Sequence, residues 1–271
     1  MEETHNVEVT LDEVEIPPTE DELPYSDGIP MESERHVLQM YLLILPLRSF
    51  WKDREFFVGG NMFIYFSLKQ LRNQDFRGPD VFVVLDVPKR ERKSWVVWQE
   101  GKGPDMVIEL LSESTAEIDK GEKKRVYQDQ LKVTDYFWYD PFTGELAGFQ
   151  LQGGLYVPIE PDVAGGLVSK RLGLKLVKWE GKYAGIEAVW LRWATMEGEL
   201  LPTEGELEEQ ERQRAEQERQ RAEQERQRAE QERQRAEQAE QLARQEKQRA
   251  DELATLLARY RERFGGVSES D

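Results

Sequence analysis

The residue with the clearest chemical signature is Glu109, which lies inside the apolar run Met106–Leu111. Burying an unpaired charge costs several kcal/mol, so a carboxylate there needs a cation, a metal ion or hydrogen-bond donors. The alternative is that Glu109 faces solvent at a sheet edge. We interpret it as a buried acid with a chemical role.

Two further acids, Asp80 and Asp105, each follow a Gly-Pro dipeptide and precede an apolar run. Asp80 stands at the mouth of the predicted strand Val81–Leu85, where its carboxylate could lie beside one from a neighbouring strand. Two adjacent carboxylates repel unless a divalent cation lies between them. The alternative for Asp80 is a simple turn residue. Asp105 falls on the same strand face as Glu109, and we rank it below Asp80, as a supporting group.

The third component of such a site, beside the two carboxylates, would be a positively charged side chain. The helix predicted after the Glu109 strand offers several: Lys120, Lys123, Lys124 and Arg125. Lys123 and Tyr127 are one turn apart and share a face that could point back at the carboxylates. The alternative is a solvated helix face. A second basic run, which we interpret as a loop that could touch phosphates, contains Lys89, Arg90, Arg92 and Lys93.

The amino-acid composition limits which metal sites the chain can form. The chain has no cysteine and only two histidines, which excludes thiolate sites and multi-histidine zinc sites. A catalytic metal would therefore have oxygen ligands, as Mg²⁺ or Mn²⁺ does. No apolar stretch approaches the roughly 20 residues that cross a bilayer, and the acidic N-terminus is unlike a signal peptide. We expect no membrane partner and a cytoplasmic protein.

Charge and composition divide the 271 residues into four parts. Residues 1–30 hold ten acids, no Lys or Arg, and four prolines, which predicts a disordered leader. Residues 31–202 are nearly neutral, with twenty-five acidic and twenty-three basic side chains, and form the predicted folded domain. Residues 203–264 are a charged segment rich in Glu, Gln, Arg and Ala, and residues 265–271 are a predicted flexible tail.

The predicted elements of the folded domain give an α/β fold with a mixed sheet flanked by helices. Helices are predicted at about Glu32–Phe50 and Ser114–Gln130, the second beginning at a capping box of Ser114 and Glu117. Strands are predicted at Met62–Phe66, Val81–Leu85, Trp95–Trp98, Met106–Leu111 and Tyr136–Tyr139. A hairpin of Leu146–Leu151 and Tyr156–Ile159 is predicted across Gly153-Gly154.

The segment 203–264 repeats the heptad Glu-Gln-Glu-Arg-Gln-Arg-Ala from Glu209 to Ala236. Its Glu and Arg residues recur at i,i+3 and i,i+4 spacing, which supports a single solvated helix. A coiled coil needs two apolar positions per heptad, and the repeats supply one alanine. A seam appears near the end, formed by Ala250, Leu253, Leu257, Tyr260 and Phe264. The segment is a long α-helix or a coiled coil, and a homo-oligomer could pair through that seam.

The core domain resembles the Uma-two family of restriction endonuclease-like proteins. Four segments carry the resemblance: Arg77–Val81, Pro104–Ser112, Asp119–Lys123 with Tyr127, and Asp135–Pro141. They occur in the family's order and cover most of residues 31–202. The charged tail is outside the resemblance.

The resemblance implies a PD-(D/E)XK fold with a four- or five-stranded mixed sheet and a metal site made by Asp80 and Glu109. The usual lysine position, two residues after the acid, is Leu111 here. Lys123 on the following helix is then the best candidate, with Lys124 and Lys120 as alternatives. Ser112 matches a family serine, whereas Glu113 stands where proline is usual.

The implied activity is Mg²⁺- or Mn²⁺-dependent hydrolysis of DNA phosphodiester bonds. Asp80, Glu109 and Lys123 would be catalytic, and Asp105, Ser112, Lys124 and Tyr127 would support them. Because a fold does not establish an activity, a second hypothesis remains open. It is a catalytically inactive nuclease fold that acts as a DNA-binding or assembly scaffold through its tail.

Overall fold

The computed structural model describes residues 17–23, 33–67, 76–112 and 115–264. The chain forms two compact units, Met1–Gly205 and Glu206–Asp271. The first unit contains three sheets and the helices packed against them. The predicted tail 265–271 and the predicted cap at Ser114 lie outside the described residues.

The largest sheet of the first unit has six strands in the order β1-β4-β6-β7-β8-β9. β6 and β7 pair in parallel and the other neighbours are antiparallel, so the sheet is mixed. Its strands are β1 Phe56–Gly59, β4 Val81–Leu85, β6 Met106–Leu110, β7 Asp135–Tyr139, β8 Leu146–Gln152 and β9 Leu155–Pro158.

Helices cover both faces of this sheet. Helix α1, Glu34–Phe50, packs on the face that carries Val81, Val83, Met106 and Ile108. The opposite face is covered by a helical segment in three parts: α3 Ala116–Ile118, a π-helical turn Asp119–Lys123, and α4 Lys124–Asp129. The predicted mixed sheet flanked by helices is therefore confirmed.

Two three-stranded sheets complete the first unit. One contains β10 Leu167–Ser169, β11 Leu174–Tyr183 and β12 Ile186–Ala194, and it buries Leu176, Leu191 and Trp193 in the α1 core. The other has the order β3-β2-β5, with β2 Ile64–Tyr65, β3 Phe76–Arg77 and β5 Trp95–Val96.

Several element predictions need correction. The large sheet has six strands rather than four or five, and the strand β1 and the whole sheet β10–β12 were not predicted. The predicted strand Trp95–Trp98 ends at Val96, because Val97–Glu100 form one helical turn, α2. Gly101 closes this turn with φ 80°, a left-handed conformation that favours glycine at a helix end.

The predicted hairpin is confirmed, because β8 and β9 pair across two residues with positive φ, Gly153 at 58° and Gly154 at 89°. Such a pair matches the tight turn whose twist suits antiparallel strands.

Residues 17–23 of the predicted leader contact the folded domain, and the rest of residues 1–30 lies outside the described residues. Glu20 forms an ion pair with Arg90 at 2.9 Å and Asp21 one with Lys93 at 2.6 Å. Trp98 donates its indole N–H to the Pro18 carbonyl, and Leu23 is buried. These contacts bind residues 17–23 to the basic loop that follows β4.

Helix α5 spans Glu204–Phe264 in 61 residues, and from Glu206 onward it forms the described part of the second unit. Its length is about 90 Å at 1.5 Å per residue, as predicted. Pairs such as Arg244 with Glu240, at i,i+4, line its surface. Within the described part of the chain, no helix has the length and apolar character required to cross a membrane.

Candidate active site

The register of β4 and β6 brings Asp80 and Glu109 together. Val81 lies opposite Ile108 in this antiparallel pair, so the preceding Asp80 continues the register opposite Glu109. Side chains alternate along each strand, which places both acids on the face covered by α4. The two carboxyl groups therefore meet under the helical segment 116–129.

Glu109 is fully buried, and two donors from the covering helix satisfy it. The Tyr127 hydroxyl donates to Oε1 over 2.6 Å, and the Lys123 ammonium donates to Oε2 over 3.2 Å. Glu109 and Tyr127 are both 0% exposed, so this network is shielded from water. The cation and donors that a buried carboxylate requires are thus both present.

Asp80 is held by the backbone of the neighbouring strand, because its Oδ2 accepts a hydrogen bond of 2.7 Å from the Leu110 N–H. Burial raises the pKa of Asp80, and the hydrogen bond from the Leu110 N–H and the charge of Lys123 oppose the rise. Burial also raises the pKa of Glu109, and the charge of Asp80 adds to it while Lys123 opposes it. Both acids resist being charged together, which is the expected behaviour of a close carboxylate pair.

Lys123 connects the acids to a third carboxylate, Asp119, which the sequence interpretation did not include. Asp119 is buried and its Oδ1 lies 2.7 Å from the Lys123 ammonium. Burial lowers the pKa of Lys123, but the charges of Glu109 and Asp119 outweigh it, so the net shift is upward. Lys123 therefore stays protonated.

The π-helical turn Asp119–Lys123 explains why Asp119 was missed. Its hydrogen bonds span five residues rather than four, a form that is rare and common at functional sites. The sequence offered two signals: Asp119 opens the segment Asp119–Lys123 that resembles the family, and it has the i,i+4 spacing of an acid and a base, which also occurs on ordinary solvated helices.

Lys120 and Lys124, the alternatives to Lys123, have other contacts. The Lys120 ammonium lies 4.3 Å from the Trp138 ring centroid and 3.4 Å from Glu145. The Lys124 ammonium lies 3.2 Å from the Phe149 ring centroid. Of these three lysines, Lys123 alone has a contact with Glu109 among the described residues.

Asp105 and Ser112 lie near Glu109 in the sequence but have structural partners in the fold. The Asp105 carboxylate accepts hydrogen bonds from the Leu85 N–H at 2.7 Å and from Lys102 and Arg171 at 2.8 Å each. It is at the opposite end of β6 from Glu109. Ser112 Oγ accepts a hydrogen bond from the Thr115 N–H at the start of the helical segment.

The oxygen donors that could hold a metal ion are the carboxylates of Asp80 and Glu109. The described residues contain no group of three or more Asp, Glu or His side chains suited to a metal ion. Two carboxylates are sufficient for Mg²⁺, which keeps several waters and takes further oxygen ligands from a phosphate substrate.

Comparison with known proteins adds three findings. Among curated proteins, none matches the chain significantly. One solved structure that matches is described as "a putative nuclease belonging to DUF820" from Anabaena variabilis, with 19% identity and a TM-score of 0.38. That match covers 55% of this chain and 88% of the other. The Uma2 family, described as "Putative restriction endonuclease", matches residues 11–179. The chain belongs to this Uma2 family.

Proposed function

We propose that this protein is a metal-dependent endonuclease that hydrolyses DNA phosphodiester bonds at the site of Asp80, Glu109 and Lys123. The observation that carries the proposal is the buried pair of acids with a charged lysine beside it. Side chains from three parts of the fold meet here: Asp80 before β4, Glu109 on β6 and Lys123 in the π-helical turn. Asp80 accepts a hydrogen bond from the Leu110 N–H, and Glu109 accepts hydrogen bonds from Tyr127 and Lys123. Family membership supports a nuclease of this type.

The donor set fits Mg²⁺ or Mn²⁺, since it consists of carboxylate oxygens and excludes sulfur and imidazole. Such an ion, when bound, polarises a phosphodiester and lowers the pKa of a coordinated water. Asp80 and Glu109 would hold it, and the raised pKa of both acids in its absence supports a site that gains from an added cation.

The protein groups around the pair have separate roles in this proposal. The Leu110 N–H fixes Asp80 and the Tyr127 hydroxyl fixes Glu109, so the two carboxylates keep their positions as charge changes. Lys123 stays protonated and offsets the negative charge that builds on the phosphate in the transition state. Asp119 positions Lys123 through their ion pair.

Cleavage of supercoiled plasmid DNA with Mg²⁺ or Mn²⁺ tests the proposal. We expect the wild type to cut and Asp80→Asn and Glu109→Gln to be inactive, with circular dichroism confirming that both variants fold. Asp162→Asn is the matched control, because it also neutralises one aspartate on the domain. Absence of cutting by the wild type, together with no thermal stabilisation by either metal, would contradict the proposal.

A second candidate function is assembly through α5, and one observation favours it. Leu253, Leu257 and Tyr260 are 61%, 55% and 63% exposed on the last turns of the helix. Their spacing of four and three residues is that of a coiled-coil seam. We expect the full chain to self-associate and Leu253→Lys with Leu257→Lys to be monomeric in sedimentation equilibrium. A monomeric wild type at micromolar concentration would exclude pairing through this seam.

A further inference from the structure

A groove of about 460 Å³ lies along the edge strand β1, away from the site described above. Basic side chains from the end of α1 and from the loop after β4 form its walls, and β1 forms its floor. The lining residues are Arg48, Lys52, Phe56, Phe57, Val58, Lys89 and Arg90.

The groove is strongly cationic, with four basic residues in its lining and no acidic one. Arg48 donates to the Val58 carbonyl at 3.0 Å, and Lys89 donates to the Lys52 carbonyl. Within the described ranges, Arg48, Lys52 and Lys89 form no ion pair with an acidic side chain. Their mutual repulsion favours a bound anion.

Arg90 marks the end of the groove, because acidic side chains neutralise it. It forms ion pairs with Glu100 and with Glu20 of the ordered leader segment. Within the lining, the positive charge that no acid neutralises is therefore confined to Arg48, Lys52 and Lys89, next to the buried ring of Phe56. The Lys89 ammonium lies 5.9 Å from that ring centroid.

The groove also lies within reach of the candidate active site. Val58, which Arg48 contacts, pairs with Val83 on β4, and Asp80 precedes Val83 by three residues. At about 3.3 Å per residue, this separation is roughly 10 Å along the sheet. Because β1 and β4 are neighbours in the sheet, an extended nucleic-acid strand is long enough to contact both the groove and the acid pair.

We propose that this groove binds backbone phosphates of a nucleic-acid strand whose reacting bond lies at Asp80 and Glu109. The proposal rests on the nuclease function proposed above. It assigns Arg48 and Lys89 to phosphate contacts, which carry affinity but no sequence preference.

The test is the salt dependence of DNA binding by the full chain. Fluorescence anisotropy of a labelled DNA duplex is measured in EDTA, which separates binding from cleavage. Arg48→Gln with Lys89→Gln removes two charges. Lys178→Gln with Lys182→Gln is the matched control, because both lysines are exposed on β11 and the charge change is equal.

We expect the groove variant to bind the duplex about tenfold or more weakly than the wild type. The slope of its plot of log affinity against log salt should fall by about 1.8, since each of the two lost phosphate contacts contributes about 0.9. The control variant should retain the wild-type slope. Equal behaviour of the two variants would overturn the proposal. So would increased self-association of the groove variant with unchanged DNA binding, since it would assign these cations to protection of an exposed strand edge.

A competition arm distinguishes a strand from a small phosphate ligand. ATP without metal should displace the duplex only at millimolar concentration. Groove-dependent binding of ATP by a protein that does not bind the duplex would overturn the assignment to a strand. The outcome is independent of catalysis: a chain that fails to cut plasmid can still show the groove-dependent salt slope, and a chain that cuts can lack it.

Discussion

Tyr127 donates its hydroxyl to Oε1 of Glu109 over 2.6 Å, with both residues fully buried. This hydrogen bond crosses from the covering helix to the central strand and opposes the rise in the pKa of Glu109. It couples the position of the helix to the charge of the acid.

Replacement Tyr127→Phe should therefore destabilise the protein by about 1.5–3 kcal/mol, the range for a hydrogen bond to a charged group. The loss should grow with pH, because the bond favours the ionised acid. Tyr156→Phe, which removes a 3.0 Å bond to the neutral Val133 carbonyl, is the control. Urea denaturation at pH 6 and pH 8 measures both, and an equal pH dependence of the two variants would contradict the coupling.

The acid pair makes the stability of the metal-free protein depend on pH. Burial and Asp80 raise the pKa of Glu109 from 4.5 to about 8. The folded state thus binds a proton that the unfolded chain has lost, so this contribution is complete below pH 4.5 and falls as pH rises through the folded value. Glu109→Gln should flatten the decline between pH 5 and pH 8.

Metal binding should oppose the same decline. Because Mg²⁺ competes with the proton for the carboxylates, its thermal stabilisation should be greater at pH 8 than at pH 6. Differential scanning calorimetry with Mg²⁺ or EDTA at both pH values measures this gain. A gain that is the same at both pH values, or that persists in Glu109→Gln, would place the ion elsewhere.

Lys123 should be more important for cleavage than its neighbour Lys124. Lys123→Met should reduce the cleavage rate by about a hundredfold or more, in the range for loss of one group that stabilises transition-state charge. Lys124→Met should retain most activity, since its ammonium packs over Phe149. Single-turnover rates on a saturating duplex separate this effect from binding, and equal losses in both variants would refute the assignment.

Gly60 should be essential for the position of Asp80. A Cβ atom at Gly60 would lie 2.3 Å from the Asp80 carbonyl oxygen and 2.7 Å from Met40 Sδ, so Gly60→Ala must move the backbone. We expect a loss of about 1–3 kcal/mol in stability, as for overpacked cores, and a weaker Mg²⁺-dependent thermal gain. Gly205→Ala, which meets nothing within 4 Å, is the control and should match the wild type.

The acidic leader should weaken DNA binding. Glu20 and Asp21 neutralise Arg90 and Lys93, so Glu20→Gln with Asp21→Asn should expose positive charge and raise affinity several-fold at low salt. Glu160→Gln with Glu187→Gln changes the charge equally at exposed positions outside the leader. Fluorescence anisotropy titrations measure the DNA affinity of both double variants. Equal gains in affinity would indicate a general effect of charge and not a specific effect of the leader.

Local patterns were sufficient to predict many of the elements. Apolar runs predicted β4 and β6, because the apolar residues of a strand buried on both faces are continuous in sequence. The glycine pair Gly153-Gly154 predicted the turn of the β8–β9 hairpin. The charged heptads predicted α5, whose i,i+4 pairs need no partner from the rest of the chain. The same patterns identified Asp80 and Glu109 as acids at the mouth and in the interior of buried strands.

Contacts between residues remote in sequence decided the elements and site contacts that local patterns did not predict. Locally, Lys123 differs from Lys120 and Lys124 only in sharing a helix face with Tyr127, and the tertiary structure is what places its ammonium beside Glu109. The strand β1 was missed since its four residues gain their stability from pairing with β4. The contacts of Glu20 and Asp21 were not predicted either, because their partners Arg90 and Lys93 are remote in sequence, in the loop after β4.

The sequence by itself thus determined which residue types are available for chemistry: carboxylates and lysines, without cysteine and with two histidines. It also determined the periodicities that make strands and the long helix. Only the tertiary structure decided which acid and which lysine meet. The reason is that the distance between side chains remote in sequence depends on strand register and on which helix covers which face.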